Sequence, residues 1–543
     1  MKNKFIVIIG FLLIAISVNS QENKFTKQDT LRGSITKERI WWDLTYYHLD
    51  IQVFPETKAI KGKNTVKYTV LKPYQVLQID LQAPLKITKV LQKNTELKVV
   101  SEGNAHFIQL IKKQHIGDTN EIVVYYEGKP KEAIRAPWDG GFSWKKDQNG
   151  NHFIATSCQG LGASVWWPNK DHMYDEVESM DISVRVPSDL MNVSNGRLQK
   201  IDKHTDNTTT YHWGVVNPIN NYGINVNIGD YAHFSEVFQG EDGPLDLEYY
   251  VLKDNLEKAK VHFKDAPKMM KAFEHWFGKY PFYEDSFKLV EVPYLGMEHQ
   301  SSVTYGNQYK QGYLGRDLSG TGWGLKFDFI IIHEAGHEWF ANNITYKDMA
   351  DMWIHESFTA YSENLFLDYY YGKKASSEYV IGTRRGITND TPIIAPYNVN
   401  ASGSGDMYSK GGNMLHTIRT VLNNDEKWRA VLRGLNKTFY HKTVTTKDIE
   451  EYMTEKSGVD LAAIFNQYLR DIRIPELEYT VEVNQLKYRW TNTVKEFNMP
   501  IRVYLNGKTR TLEPTSSWKT IMVTNTETTL KVDPNFYVTT KKL

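Results

Sequence analysis

Five hundred and forty-three residues are too many for one hydrophobic core, and at roughly 150 residues per domain the length implies three or four domains. With 41% hydrophobic, 13% aromatic and 24% charged residues the chain has ample apolar surface to bury, which excludes a disordered protein. Sixty-five Lys and Arg against 64 Asp and Glu leave +1, so there is no positive field to hold a nucleic acid.

The first element in chain order is a candidate secretory signal. Lys2 and Lys4 form a basic start, residues 5–18 an apolar run, and Val18-Asn19-Ser20 a cleavage site before Gln21. This predicts loss of residues 1–20 and export, to the periplasm or the exterior. An uncleaved anchor is the competing reading, but the apolar run falls short of the roughly 20 residues that span a bilayer. No later stretch would span one, so no stable membrane span is expected after signal removal. Cys158, the one cysteine, can close no internal disulfide and build no thiolate metal site. It is expected to be a small buried side chain.

Between about 41 and 230 the pattern is that of strands. Runs at 47–53, 65–70, 76–81 and 180–186 alternate apolar and polar side chains with turn residues between them, which predicts an N-terminal antiparallel β domain over residues 21–232. One more strand at 245–252 and a helix at 256–277, ending before Gly278, open a second domain over 233–472, in which helical spacing dominates from 327 to 469. Residues 473–543 return to short alternating runs with an Asn506-Gly507 hairpin signal, and predict a small C-terminal β sandwich. The expected fold class is multidomain α+β, with no internal repeats.

The stretch 329–340 carries His333-Glu334-Ala335-Gly336-His337, an H-E-x-x-H motif inside an apolar helical run. At 3.6 residues per turn the two imidazoles share one helix face and can reach one Zn²⁺. Glu334 then sits beside the metal, placed to act as general base on zinc-activated water. The motif alone is short, so a third ligand is required. Glu356 offers it, with eighteen residues between it and His337. A single straight helix of nineteen steps would put it roughly 28 Å away, so the chain must turn back. Asn342-Asn343 and Lys347-Asp348 supply the turn, and a helix from 352 to 371, ending at Gly372, brings Glu356 opposite the histidines. The result is a His₂Glu site with its fourth position open, as catalytic zinc sites have. The bland alternative makes the histidines core or surface residues and Glu356 a solvated carboxylate; zinc over cobalt or manganese is a judgement from ligand type. His355 and Glu338 are expected to be supporting or structural.

These residues resemble peptidase family M1, the zinc aminopeptidases of the aminopeptidase N and leukotriene hydrolase type. The likeness rests on the full H-E-x-x-H with eighteen residues to the distal Glu, on Trp339-Phe340, on Gly296-Met297-Glu298-His299 upstream, and on Tyr408-Ser409-Lys410-Gly411 downstream. The family reads G-x-M-E-N and Y-x-K-G at the last two places, so His299 stands where it has Asn, and Leu295 where it usually has Gly. Cys158-Gln159-Gly160 and Trp167-Pro168-Asn169-Lys170-Asp171 resemble a further segment, in the N-terminal β domain, that contributes a substrate-contacting Gln. The resemblance covers about residues 35–470 and implies the order β domain, thermolysin-like domain, β sandwich. The large helical domain that closes the cavity in many members does not follow the sandwich segment, which implies a more open site.

The resemblance implies one Zn²⁺ on His333, His337 and Glu356, with peptides bearing a free N-terminus as partners. Glu298 would pair with the cationic α-amine, making the protein an exopeptidase; Gly296, Met297 and Gln159 would contact substrate. Tyr408 would donate its hydroxyl to the tetrahedral oxyanion. Two other readings stand beside it. A thermolysin-type endopeptidase needs the same metal residues and Glu334 but not Glu298. A non-catalytic surface binding protein with a structural zinc would need a fourth protein ligand. Epoxide hydrolysis, known in one branch of the family, is signalled by nothing in this chain.

Overall fold

The computed structural model describes residues 25–482, 484–523 and 529–543. The expected signal sequence lies outside these residues, and no described helix is long and apolar enough to cross a membrane.

Strand Trp42–Phe54 shows why the N-terminal part is a sheet. Its Tyr47, Leu49, Ile51 and Val53 are buried while His48, Asp50 and Gln52 are only partly so, the period-two pattern of a one-sided strand. It lies inside an eight-stranded sheet, between Ser179–Pro187 and Ala59–Val70. Every pairing in that sheet is antiparallel except one: Trp42–Phe54 runs parallel to Ser179–Pro187. A second, four-stranded sheet contains His152–Ser157, whose end delivers Cys158 and Gln159 towards the centre of the molecule. Cys158 is buried, with its thiol near the carbonyl of Tyr222.

A five-stranded sheet follows, ordered Tyr231–Gly240, Gly243–Leu252, Phe287–Glu291, Val303–Tyr305, Gly296–Met297. The expected domain limit at 232/233 lies within its first strand, Tyr231–Gly240. The helix expected over 256–277 is two helices, Leu256–His262 and Asp265–Phe277. Pro267 explains the break: it has no N–H to donate four residues back, and its ring crowds the carbonyl of Phe263. Helices then dominate up to Ala462–Arg470, and two sheets of four and three strands complete the chain. In the latter, Asn506 and Gly507 have φ of 48° and 78° and link the paired residues Leu505 and Lys508, a two-residue hairpin. Leu477, Trp490, Ile501 and Val503 of these sheets belong to one buried cluster with the helical region, so the sandwich is packed onto it.

Candidate metal centre

The helix carrying the H-E-x-x-H motif starts where a buried aspartate fixes it. Asp328 Oδ1 accepts the N–H groups of Ile330 and Ile331 at 2.9 and 3.2 Å, capping Phe329–Gly336. Its Oδ2 accepts from Tyr305 Oη at 2.8 Å and lies 2.6 Å from His262 Nε2. The cap therefore ties the helix to the five-stranded sheet and sets the depth of His333.

Beyond Gly336 the chain leaves α geometry. The N–H groups of Asn342 and Asn343 reach back five residues, to His337 and Glu338, at 3.0 and 3.1 Å, and Phe340 has φ −128°, ψ 77°. Ile344–Tyr346 pairs with Lys442–Val444, Asp348 caps the next turn, and Trp353–Thr383 returns against the first helix. Gly372 interrupts this helix at φ 82°, and a further helical stretch continues to Thr383. The two helices meet closely at Gly336, where a Cβ would lie 2.6 Å from Ser362 Oγ. Glycine between the two histidines is what lets Glu356 approach.

The fold brings the three expected ligands together. His333, His337 and Glu356 offer one atom each, all within 4.8 Å of one another, and no fourth His, Cys, Asp or Glu joins that group among the described residues. Glu356 Oε2 lies 3.4 Å from His337 Nε2 and 3.8 Å from His333 Nε2. All three side chains are buried. Their outer atoms are already committed. His333 Nδ1 donates to Glu363 Oε1 at 2.8 Å, and Tyr379 donates to the other oxygen of Glu363. His337 Nδ1 donates to the Phe340 carbonyl at 3.1 Å. Both imidazoles therefore carry their proton on Nδ1 and turn a lone pair on Nε2 inward, as metal-ligating histidines do. Glu356 Oε2 is buried without a hydrogen-bond partner. An unpaired buried carboxylate oxygen facing two bare imidazole nitrogens fits a divalent cation of zinc's ligand preference.

Glu298, Glu334 and His337 form a second close group, also within 4.8 Å. Burial raises the Glu334 carboxyl to about 7. Burial also works against ionisation of Glu356, but positive charge opposite it, on His337 and His333 when no metal is bound, outweighs it and holds that carboxyl well below its usual range. Gln159 Nε2 donates to Glu298 Oε1 at 2.6 Å and to Glu356 Oε1 at 3.2 Å, which brings the β-domain residue into the site. Asn342 Nδ2 holds the Glu298 carbonyl at 2.9 Å. Gly296 packs so closely that a Cβ would meet Ile330 at 2.6 Å and Glu334 Oε1 at 3.2 Å. Met297 sends its side chain into the core of the N-terminal sheets, which leaves its backbone on the edge strand as the part a ligand can meet. Tyr408 precedes helix Ser409–Leu422 and stacks over His333 at 6.0 Å. Desolvation of its hydroxyl, then the carboxylates of Glu356 and Glu298, push its pKa well above the usual value, so it remains a donor.

His299, in the place of the family's Asn, points away from the metal residues. Its Nε2 and Nδ1 lie 3.2 and 3.3 Å from the carbonyls of Thr156 and Gly223, bolting the Glu298 segment to the N-terminal part. Glu338 accepts the Ser301 N–H at 2.8 Å and His355 the Tyr346 N–H at 3.0 Å, so both serve the backbone. Glu363 and Tyr379 were not singled out from sequence. Glu363 lies seven residues after Glu356, two turns on along the same helix face, a signal that was available.

The comparisons with known proteins agree with this geometry. Residues 44–222 match the peptidase M1 N-terminal domain and residues 261–468 the peptidase family M1 domain. Probable aminopeptidase 1 of Sulfurisphaera tokodaii is 22% identical over 454 residues, 80% of this chain and 54% of its own. Leukotriene A-4 hydrolase of Xenopus laevis is 23% identical over 353 residues, 61% of this chain and 55% of its own. The chain thus spans about half the length of the curated relatives it matches. The M1 zinc metallopeptidase of Deinococcus radiodurans shares the fold, with a TM-score of 0.68 at 18% identity over 80% of this chain and 94% of that one. With both halves of the family's signature matched and its metal residues converging in space, the chain belongs to peptidase family M1.

Proposed function

We propose that the protein is a zinc-dependent aminopeptidase that hydrolyses the N-terminal bond of peptides. The observation that carries this reading is the placement of Glu298, tethered by Gln159 and grouped with Glu334 and His337 beside the three metal residues. A carboxylate there pairs with the α-ammonium of a peptide and fixes its first residue next to the metal. The open edge strand Gly296–Met297 offers backbone groups to the substrate chain. Bound to His333, His337 and Glu356, zinc supplies a Lewis acid that polarises the scissile carbonyl. Glu334 takes a proton from the attacking water and returns it to the amine that leaves as the C–N bond breaks. Tyr408 donates its hydroxyl to the oxygen that gathers charge. A variant of the Deinococcus radiodurans enzyme with a bound Tyr-Ser-Ala substrate supports a peptide ligand of this kind.

Hydrolysis of aminoacyl-arylamides, abolished by a chelator and restored by zinc, tests the reading. Zinc-dependent cleavage of N-acetylated peptides at internal bonds would favour the endopeptidase instead. From the basic and apolar start of the sequence we further propose export to the periplasm or the exterior, and N-terminal sequencing of the exported protein should begin at Gln21.

A further inference from the structure

Arg384 and Arg385 share one short turn, Arg384–Gly386, directly after the long helix. Arg384 faces inward, where its Nε donates to Asn413 Oδ1 at 2.6 Å and its guanidinium lies 5.3 Å from the ring of Tyr537. Arg385 faces the other way. It is exposed and forms part of the wall of a cavity of about 540 Å³ that also includes His333, Glu334 and Tyr408. Among the described residues Arg385 pairs with no carboxylate; its Nη2 donates to the backbone carbonyl of Asp317 at 3.3 Å. The guanidinium is nevertheless seated. A Cβ at Gly320, which has φ +71°, would lie 1.9 Å from Arg385 Nη1, so the glycine leaves the space the guanidinium fills.

Neither Glu298 nor Gln159 lines this cavity. On the aminopeptidase reading, with the amine held at Glu298, this cavity over His333, Glu334 and Tyr408 is the space for what lies beyond the scissile bond. Its volume is that of a small-ligand site, within the usual range of about 300–1,000 Å³, and has room for a few residues. A cation without an acidic partner, held over that space, calls for an anion. In a peptide whose side chains vary, the one anion always present is the C-terminal carboxylate. The planar fork of an arginine matches it bidentately.

We propose that Arg385 binds the C-terminal carboxylate of short peptides and thereby makes free oligopeptides of a few residues the preferred substrates of this site. The inference rests on the aminopeptidase reading. Its test compares one tripeptide as the free acid and as the C-terminal amide, both with a free amine, on the zinc-loaded full chain. The acid should be favoured roughly 10- to 100-fold in kcat/KM, mostly through KM, as befits a charge-assisted contact. In R385Q the ratio of acid to amide should fall to about one, and R385K, which keeps the charge without the fork, should lie between. Because the ratio is internal to each protein, partial loss of folded enzyme does not alter it. Equal use of acid and amide by the wild type, or a preference that survives in R385Q, overturns the inference while leaving the aminopeptidase reading intact. Cleavage of neither peptide overturns both.

Discussion

Replacing Glu363 with alanine removes the acceptor of His333 Nδ1–H, a contact of 2.8 Å between two buried side chains. A charge-assisted hydrogen bond of this kind is worth about 1.5–3 kcal/mol, and each 1.4 kcal/mol is a factor of ten in an equilibrium constant. Without it the ring can rotate or exchange tautomers, and its Nε2 is a weaker donor to a metal. Loss of such an outer partner typically lowers metal affinity by about 10- to 100-fold. The two estimates agree, so E363A should bind zinc roughly 10- to 100-fold more weakly than the wild type. E363Q retains an acceptor oxygen without the charge and should lose about tenfold or less. Competition against a chromophoric chelator, on protein stripped and reloaded with zinc, measures these constants. Far-ultraviolet circular dichroism checks that the helix Trp353–Thr383 persists. Zinc affinity in E363A equal to that of the wild type would refute the claim that Glu363 fixes the His333 ring for coordination.

Three further outcomes follow from the same geometry. E298Q keeps the side chain's shape but removes the charge that pairs with an α-ammonium, so kcat/KM on free-amine substrates should fall by about 100-fold, read from arylamide kinetics. D328A removes the cap of the motif helix and strips Tyr305 and His262 of a partner; urea unfolding should show a loss of about 3 kcal/mol, with D328N nearer to the wild type. Burial lowers the imidazole of His416 to about 4, below the roughly 6.5 of an unfolded chain. Its neutral form is the one the fold accommodates, so its contribution is complete above pH 6.5 and is lost as the pH falls towards 4. In that window the wild type should lose stability relative to H416Q by up to about 1.4 kcal/mol per pH unit. A difference that is constant with pH would contradict this.

The metal residues were legible because their chemistry leaves a periodic trace. Two histidines four residues apart on an apolar helix define a face, and the distance to Glu356 along a straight helix demanded a turn that the Asn and Asp residues supply. The second helix lay where that arithmetic put it, and the Asn506-Gly507 turn was equally visible from its demand for positive φ. Other features leave no local trace. Glu298, Gln159 and Tyr408 are common residue types at isolated positions, and only their likeness to a family made them stand out. The parallel pairing of Trp42–Phe54 with Ser179–Pro187 joins segments more than a hundred residues apart, and alternation looks the same in either strand direction. Arg385 reaches the cavity through the conformation of a turn, and neighbouring Arg384 is indistinguishable from it in sequence. Pro267, by contrast, did announce the break between the two early helices, and the apolar spacing on either side masked it.

The central claim is that a free α-amine, held by Glu298, selects the bond to be cut. Mass spectrometry of a peptide digested by the zinc-loaded enzyme, with its N-terminus free or acetylated, tests this most directly. The account predicts a ladder of products shortened one residue at a time from the free peptide and no products from the acetylated one. Internal fragments, or equal digestion of both, would contradict it.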